Sequence, residues 1–353
     1  MSTDLSLSHF SLQQMGWRPF FQQQLTLDEW EATHPAKVMA VHRSILEVST
    51  EAGELSIPVH HSMPSITVGD WLLLNEDNSF HRLLERSSLF VRKAAGSKVN
   101  EQLIAANLDS VFIVSSMNDD FNLSRIERYL AATKEAGAEP VIILTKADCC
   151  SEPESYTEQV QALDSLLSVV AVNSLDPACK EQLSDWCRTG QTVALVGSSG
   201  VGKSTITNTL LGRSIQETGG IREDDSKGRH TTTGRSLHMM SDGGLLLDTP
   251  GMRELQLAGC EQGVEETFAD IIELAENCRF SDCQHESEPD CAVNRAIEEE
   301  RLEQRRFKNY QKLLREQARN GSQLAERRAK DKDFTRYIKD VAGTSRAIKK
   351  GMI

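Results

Sequence analysis

The apolar positions fall into successive rhythms along the chain. Residues 1–35 are polar, Gln-rich and weakly patterned, which predicts a leader or a short helix. From Val38 to about Arg92 the apolar residues come in short alternating runs: Val38–Val41, Ile45–Val48, Leu55–Val59 and, after a turn at Val68-Gly69-Asp70, Trp71–Leu74. Runs this short and evenly spaced predict a small OB-type β-barrel over residues 36–95. It carries no aromatic ladder of the kind that stacks on bases, so its chemistry is left open. From residue 104 the rhythm becomes strand, helix, strand. Val111–Ser115 and Val141–Leu144 read as buried strands, and Leu123, Ile126 and Leu130 recur at helical spacing between them. Val169–Val172, Val193–Val196 and Leu245–Leu247 continue the series. This alternation predicts a mainly parallel sheet with helices on both faces, an α/β domain over residues 96–262. The stretch from about 296 to 332 is rich in Glu, Arg, Lys, Gln and Leu, which predicts helix in a C-terminal part covering 263–353.

A chain of 353 residues is long enough for two or three domains. No run approaches the ~20 apolar residues needed to span a bilayer, and no apolar run follows a basic start. The expected location is therefore the cytoplasm, with no membrane partner. Net charge is −13 but unevenly spread: residues 301–353 hold 16 Lys+Arg against 6 Asp+Glu, leaving 23 basic and 46 acidic residues before them. An acidic body thus carries a basic tail, which reads either as a solvated helix face or as a contact for a polyanion.

Gly197-Ser198-Ser199-Gly200-Val201-Gly202-Lys203-Ser204 fits the phosphate-loop pattern at every position, behind an apolar strand and ahead of a helix-compatible run that begins Ser204-Thr205. Glycines let backbone N–H groups curl around phosphates, the helix N-terminus adds its dipole, Lys203 supplies a cation and Ser204 a Mg²⁺ ligand. Asp248-Thr249-Pro250-Gly251 follows the strand Leu245–Leu247. Asp248 is placed to hold Mg²⁺ through water, and Gly251 to offer its amide to the γ-phosphate. Between these motifs lies Gly228-Arg229-His230-Thr231-Thr232-Thr233-Gly234, where one threonine, with Thr232 favoured, can close over Mg²⁺ and the γ-phosphate.

Thr145-Lys146-Ala147-Asp148 resembles the N-K-x-D guanine motif. A carboxylate at Asp148 can accept from the guanine N1–H and 2-amino groups, a pair that adenine lacks, so GTP is favoured over ATP. Thr145 stands where that motif has Asn, which leaves the amide's usual contact to be replaced. Asn173 and Ser174, after the strand Val169–Val172, resemble the loop that backs the base. Farther on, Cys278-x4-Cys283-x-His285-x5-Cys291 offers three thiolates and an imidazole within 14 positions, a closed set suited to one structural Zn²⁺.

The guanine motifs precede the phosphate motifs, the reverse of ordinary GTPases, which is the signature of a circularly permuted GTPase domain. With the N-terminal barrel, the motifs Gly-Arg-His-Thr-Thr-Thr and Asp-Thr-Pro-Gly-Met-Arg-Glu, and the Cys/His cluster, residues 36 to about 315 closely resemble the RsgA family of ribosome small-subunit-dependent GTPases. The resemblance implies GTP and GDP as ligands and the same four zinc positions. It also implies the 30S subunit and 16S rRNA as partners during late subunit maturation; a monomer is expected, with other assembly factors as further partners. Barrel and zinc module are the parts implied to touch rRNA. Met252 follows the D-x-x-G motif where many GTPases have a water-positioning glutamine, and a thioether can neither orient nor deprotonate water. His230 is therefore the candidate catalytic group beside Lys203, and the family's histidine at this place points the same way. Switch segment 248–254 leads almost directly into the zinc module, so its ordering is expected to reposition the C-terminal part. Two other classes compete: a P-loop kinase or ATPase, and a zinc-containing RNA-binding protein with a degenerate nucleotide site.

Overall fold

The computed structural model describes residues 10–93, 101–212, 235–248 and 260–318. Its helices are α1 (Pro19–Gln22), α2 (Leu27–Ala32), α3 (Leu123–Glu135), α4 (Pro153–Gln161), α5 (Ala178–Gln182), α6 (Lys203–Leu211), α7 (Glu261–Thr267), α8 (Ala269–Ala275) and α9 (Ala292–Glu298). A last helix, α10, covers 304–318. The strands are β1 (Thr33–Val41), β2 (Ile45–Thr50), β3 (Gly53–Pro58), β4 (Trp71–Asn75), β5 (Phe80–Leu83), β6 (Leu89–Lys93), β7 (Glu101–Ala106), β8 (Ser110–Ser116), β9 (Glu139–Thr145), β10 (Ser168–Val172), β11 (Thr192–Gly197), β12 (Ser236–Met239) and β13 (Leu245–Asp248).

Alternation along each central strand sends successive side chains to opposite faces of the sheet. Val111, Ile113, Ile142, Leu144, Ala194 and Val196 therefore join the core on the α3 side. Phe112, Val114, Val141, Ile143 and Val193 join a second core with Ile206 and Leu210 of α6. Both faces are covered, which explains why these strands read as continuous apolar runs. The five parallel strands stand in the order β10-β9-β8-β11-β13, and β12 adds antiparallel to β13.

The N-terminal strands β1 to β5 pair antiparallel around their own core of Ala36, Val38, Leu46, Val48, Ile57, Leu72 and Leu74. This unit is joined to the α/β domain edge to edge: Ala40 of β1 pairs with Ser236 of β12, making one eleven-stranded mixed sheet.

Two segments differ from the sequence expectation. The described part of the leader is packed, with Met15 and Phe21 fully buried against Trp71, Leu73 and Leu84. A few large apolar residues without periodicity give no pattern to read, yet they fill a core. The C-terminal helix is interrupted: after α9, Glu300 takes a left-handed φ of 58°, and the N–H groups of Arg301 and Leu302 return to the Ala296 carbonyl, closing that helix before α10 begins.

Candidate functional site

The five parallel strands end on one edge, at Ser116, Thr145, Val172, Gly197 and Asp248. Ser116 lies opposite Thr145, and Thr145 opposite Val172. The segments that follow are therefore gathered at the carboxyl edge of the sheet, where open α/β folds bind ligands.

Gly197 closes β11 at φ 142°, and a Cβ there would lie 2.2 Å from the Val114 carbonyl oxygen, so the loop can leave the strand only with glycine. Gly202 caps α6 at φ 97°, again outside the range of ordinary side chains. Lys203 bends back along the loop and donates to the carbonyls of Gly197, at 2.8 Å, and Ser198. Ser204 and Thr205, half-buried, lie in the first turn of α6, whose N–H groups and dipole favour an anion.

On the neighbouring strand, Lys146 takes a left-handed φ of 62° and turns the chain into a short 3₁₀ helix, Ala147–Cys149, that leaves Asp148 exposed. The Cys149 thiol donates to Asp148 Oδ2 at 3.4 Å, and this bond pushes the thiol pKa up. Asn173 accepts from the Leu175 N–H at 3.0 Å, ordering the loop after β10, and Ser174 is buried beside it.

These motifs, distant and reversed in the chain, meet at Gly202. A Cβ on Gly202 would lie 3.3 Å from Ser174 Oγ and 3.5 Å from Thr145 Cγ2. Thr145 is fully buried, and its hydroxyl donates to the Val201 carbonyl at 2.6 Å, with the Ser115 carbonyl at 3.3 Å. Thr145 thus ties the guanine segment to the phosphate loop. The Thr145→Val variant, nearly isosteric, should lower stability by about 1–3 kcal/mol, the cost of leaving a buried carbonyl unpaired, and weaken GDP and GTP by roughly tenfold. Unfolding midpoints and a fluorescent-nucleotide titration measure both; unchanged affinity would show that the tie does not shape the site.

Asp248 is half-buried at the end of β13 and pairs with Ser236, the residue that also pairs with Ala40 of the N-terminal unit. Sequence reading missed Ser236, because only long-range strand pairing reveals it. His230, Thr232, Gly251 and Met252 lie outside the described residues, as does the basic tail beyond 318.

In the cysteine cluster, the four ligand atoms of Cys278, Cys283, His285 and Cys291 all lie within 4.8 Å of one another. His285 Nδ1 is 3.5 Å from Cys278 Sγ and 3.4 Å from Cys291 Sγ, and those two sulfurs are 3.9 Å apart. A tetrahedral Zn²⁺ with Zn–S of about 2.3 Å and Zn–N of about 2.0 Å needs separations of about 3.5 and 3.8 Å, so Cys278, His285 and Cys291 stand at ligand spacing and the set of four is compatible with the ion. Burial favours the neutral Cys278 thiol, but the backbone N–H groups of Ala292 and Val293 bring its pKa below the usual value, while burial pushes Cys283 up to about 11.

This module is bolted to the α/β domain. Glu127 of α3, fully buried, accepts from Arg305, Arg306 and Asn309 of α10, and Arg306 also reaches Asp270 of α8. Gly263 of α7 lies so close to α3 that a Cβ would fall 2.0 Å from the Ala131 carbonyl oxygen. Any displacement of the C-terminal part must carry α3 with it or break this buried network.

The sequence profile of a family described as RsgA GTPase matches residues 83–258. A curated relative from Vibrio parahaemolyticus, named Small ribosomal subunit biogenesis GTPase RsgA 2, is 61% identical over 335 residues, 95% of this chain and 94% of its own length. The Small ribosomal subunit biogenesis GTPase RsgA of Mesorhizobium japonicum is 45% identical over 88% of this chain and 91% of its own.

The chain belongs to the RsgA family of GTPases.

Among solved structures, YjeQ from Thermotoga maritima shares the fold at a TM-score of 0.60, with 24% identity, covering 80% of this chain and 98% of its own. YloQ, described as a circularly permuted GTPase, aligns at 0.56 with 22% identity, covering 80% and 94%. The reversed motif order is thus that of a permuted GTPase fold. None of the helices among the described residues is long and apolar enough to cross a membrane.

Proposed function

We propose that this RsgA-family enzyme is a small-subunit-stimulated GTPase that works in the cytoplasm as a late 30S maturation factor, binding 16S rRNA and coupling its nucleotide state to release or checking of the subunit. The observation that carries this reading is its near full-length identity with relatives named for small ribosomal subunit biogenesis. In it, Asp148 reads guanine, Asn173 and Ser174 back the base, and residues 197–205 cradle the phosphates with Lys203 as their cation. Ser204 and Thr232 would hold Mg²⁺, Asp248 would act on it through water, and Gly251 would serve the γ-phosphate. Bound Mg²⁺ supplies neutralisation of phosphate charge. His230 orients the attacking water. Cys278, Cys283, His285 and Cys291 hold one structural Zn²⁺, a role supported by their fit to a tetrahedral ion.

The basic residues of 301–353, apart from Arg305 and Arg306, which pair with Glu127 and Asp270, give a largely acidic chain cations to offer RNA phosphates, so binding should weaken as salt rises. Co-sedimentation with purified 30S subunits tests the coupling. Binding with a non-hydrolysable GTP analogue should be about tenfold tighter than with GDP, a coupling of usual size between two ligands. Equal binding with analogue, GDP or no nucleotide would favour a zinc-containing RNA-binding protein with an idle nucleotide site.

A further inference from the structure

Helix α2 holds the strongest exposed apolar feature of the described surface. Leu27 is 85% exposed and Trp30 52% exposed, and at a spacing of three they share one side of the helix. Trp30 is the exposed tryptophan of the four, since Trp71 is buried and Trp17 and Trp186 are half-buried. Exposed tryptophan beside leucine is the composition of a binding hot spot rather than of a solvated face.

The helix is also held in place. Thr26 and Glu29 form a reciprocal capping box at its start. Arg82 of β5 donates to both Glu29 carboxylate oxygens, at 2.5 and 3.1 Å, and to the Gln24 carbonyl at 2.7 Å. The bond from Arg82 brings the Glu29 pKa down to about 2, so the anchor stays charged throughout the neutral range. With its inner face fixed, α2 presents Leu27 and Trp30 without an ordering cost on binding.

Charge indicates what fits there. Asp28 and Glu31 flank the two apolar residues and are exposed. Glu76 and Asp77, also exposed, stand in the β4–β5 turn, which lies beside the end of α2 because Thr33 pairs with Asn75 and His34 bonds Asn78. No Lys or Arg occurs between Arg18 and Lys37; Arg18 is paired with Asp109, and Lys37 is buried over Trp71. Four carboxylates, with no Lys or Arg in the chain around them and with the neighbouring Arg82 already paired to Glu29, repel a phosphate backbone and attract a cationic peptide.

We propose that the outward face of α2, Leu27 and Trp30 framed by Asp28, Glu31, Glu76 and Asp77, is a docking surface for a Lys/Arg-rich protein segment bearing an aliphatic or aromatic residue. The proposal rests on the functional reading above in taking the small subunit as the assembly that supplies the segment. It assigns α2 to a protein component of that assembly, and not to its RNA.

Two variants of the full chain test it: Leu27→Ser with Trp30→Ser, which removes the apolar contact, and Asp28→Lys with Glu31→Lys, which reverses the charge. Both should bind 30S subunits at least tenfold more weakly, the usual effect of losing a hot-spot contact. The apolar variant should bind protein-free 16S rRNA as the wild type does, and the charge-reversed variant should bind it more tightly. Nucleotide affinity should not move, and the unfolding midpoint should shift little, because Leu27, Asp28 and Glu31 are exposed and Trp30 is half exposed. A synthetic peptide alternating Lys and Leu should shift the tryptophan emission of the wild type but not of Trp30→Phe. Undiminished 30S binding by both variants overturns the proposal, as does an absent emission shift. An equal loss on protein-free rRNA also overturns it, by making Trp30 a base-stacking residue. A wild-type chain that ignores 30S but responds to the peptide contradicts the functional reading while supporting the docking surface.

Discussion

Replacing His230 by Ala is expected to leave GTP affinity near that of the wild type while lowering 30S-stimulated hydrolysis by ~10²-fold or more, the range of a lost acid–base or water-positioning group. The expectation rests on two residues. Met252 occupies the place of the usual glutamine with a side chain that cannot direct water. His230 adjoins Thr231, Thr232 and Thr233, the hydroxyls assigned to the γ-phosphate side of the site, and an imidazole can accept or donate a hydrogen bond to water. Lys203→Ala separates binding from chemistry, because Lys203 starts α6 in the phosphate loop and its loss should damage nucleotide binding as well. If His230→Ala binds both GTP and 30S with full stimulated turnover, the water is positioned by another group, and the assignment to His230 falls while the family's GTPase activity stands.

Replacing Cys278 or Cys283 by Ser should reduce zinc from one ion per freshly purified chain to none, and unfolding should stay within the C-terminal third. The structure narrows this expectation. None of residues 276–290 is buried, and the stretch meets the apolar core only through Cys278, Cys283 and the edge of His285 on Phe307, so a metal would supply most of its cohesion. Around it, Val293, Ala296, Leu302, Phe307 and Leu313 pack into the main core, and Glu127 holds Arg305 and Arg306. Hydrogen exchange in the Ser variants should therefore rise sharply over residues 276–291 and remain near wild type in α3 and α10. Freshly purified protein without zinc would refute the metal assignment; exchange spreading through α10 would show that the buried ion network does not hold the module by itself.

Local pattern made the strands of the parallel sheet legible, since β8, β9 and β11 are buried on both faces and read as apolar runs, while the half-buried edge strand β10 is still made of Val and Ala after Ser168. The gathering of Cys278, Cys283, His285 and Cys291 was legible because a closed metal set demands fixed residue types within a short span, and the phosphate-loop and guanine assignments are proposed on the same ground. Long-range pairing was not. Nothing local tells that Thr145 reaches the Val201 carbonyl, or that Ser236 stands between Asp248 and Ala40. Nor does composition reveal that Met15 and Phe21, in a Gln-rich segment, fill a core with Trp71. The break at Glu300 escaped notice for a related reason: helix propensity is a weak prior, and the left-handed residue is fixed by how α9 and α10 pack.

Stimulation of the permuted GTPase by the small ribosomal subunit is measured by GTP hydrolysis with and without purified 30S subunits. Turnover of the chain alone should be slow, because Met252 supplies no water-positioning group, and 30S should raise it by at least ~10²-fold, as completing a hydrolytic site in trans does in other GTPases. A rate that 30S subunits leave unchanged would contradict that stimulation.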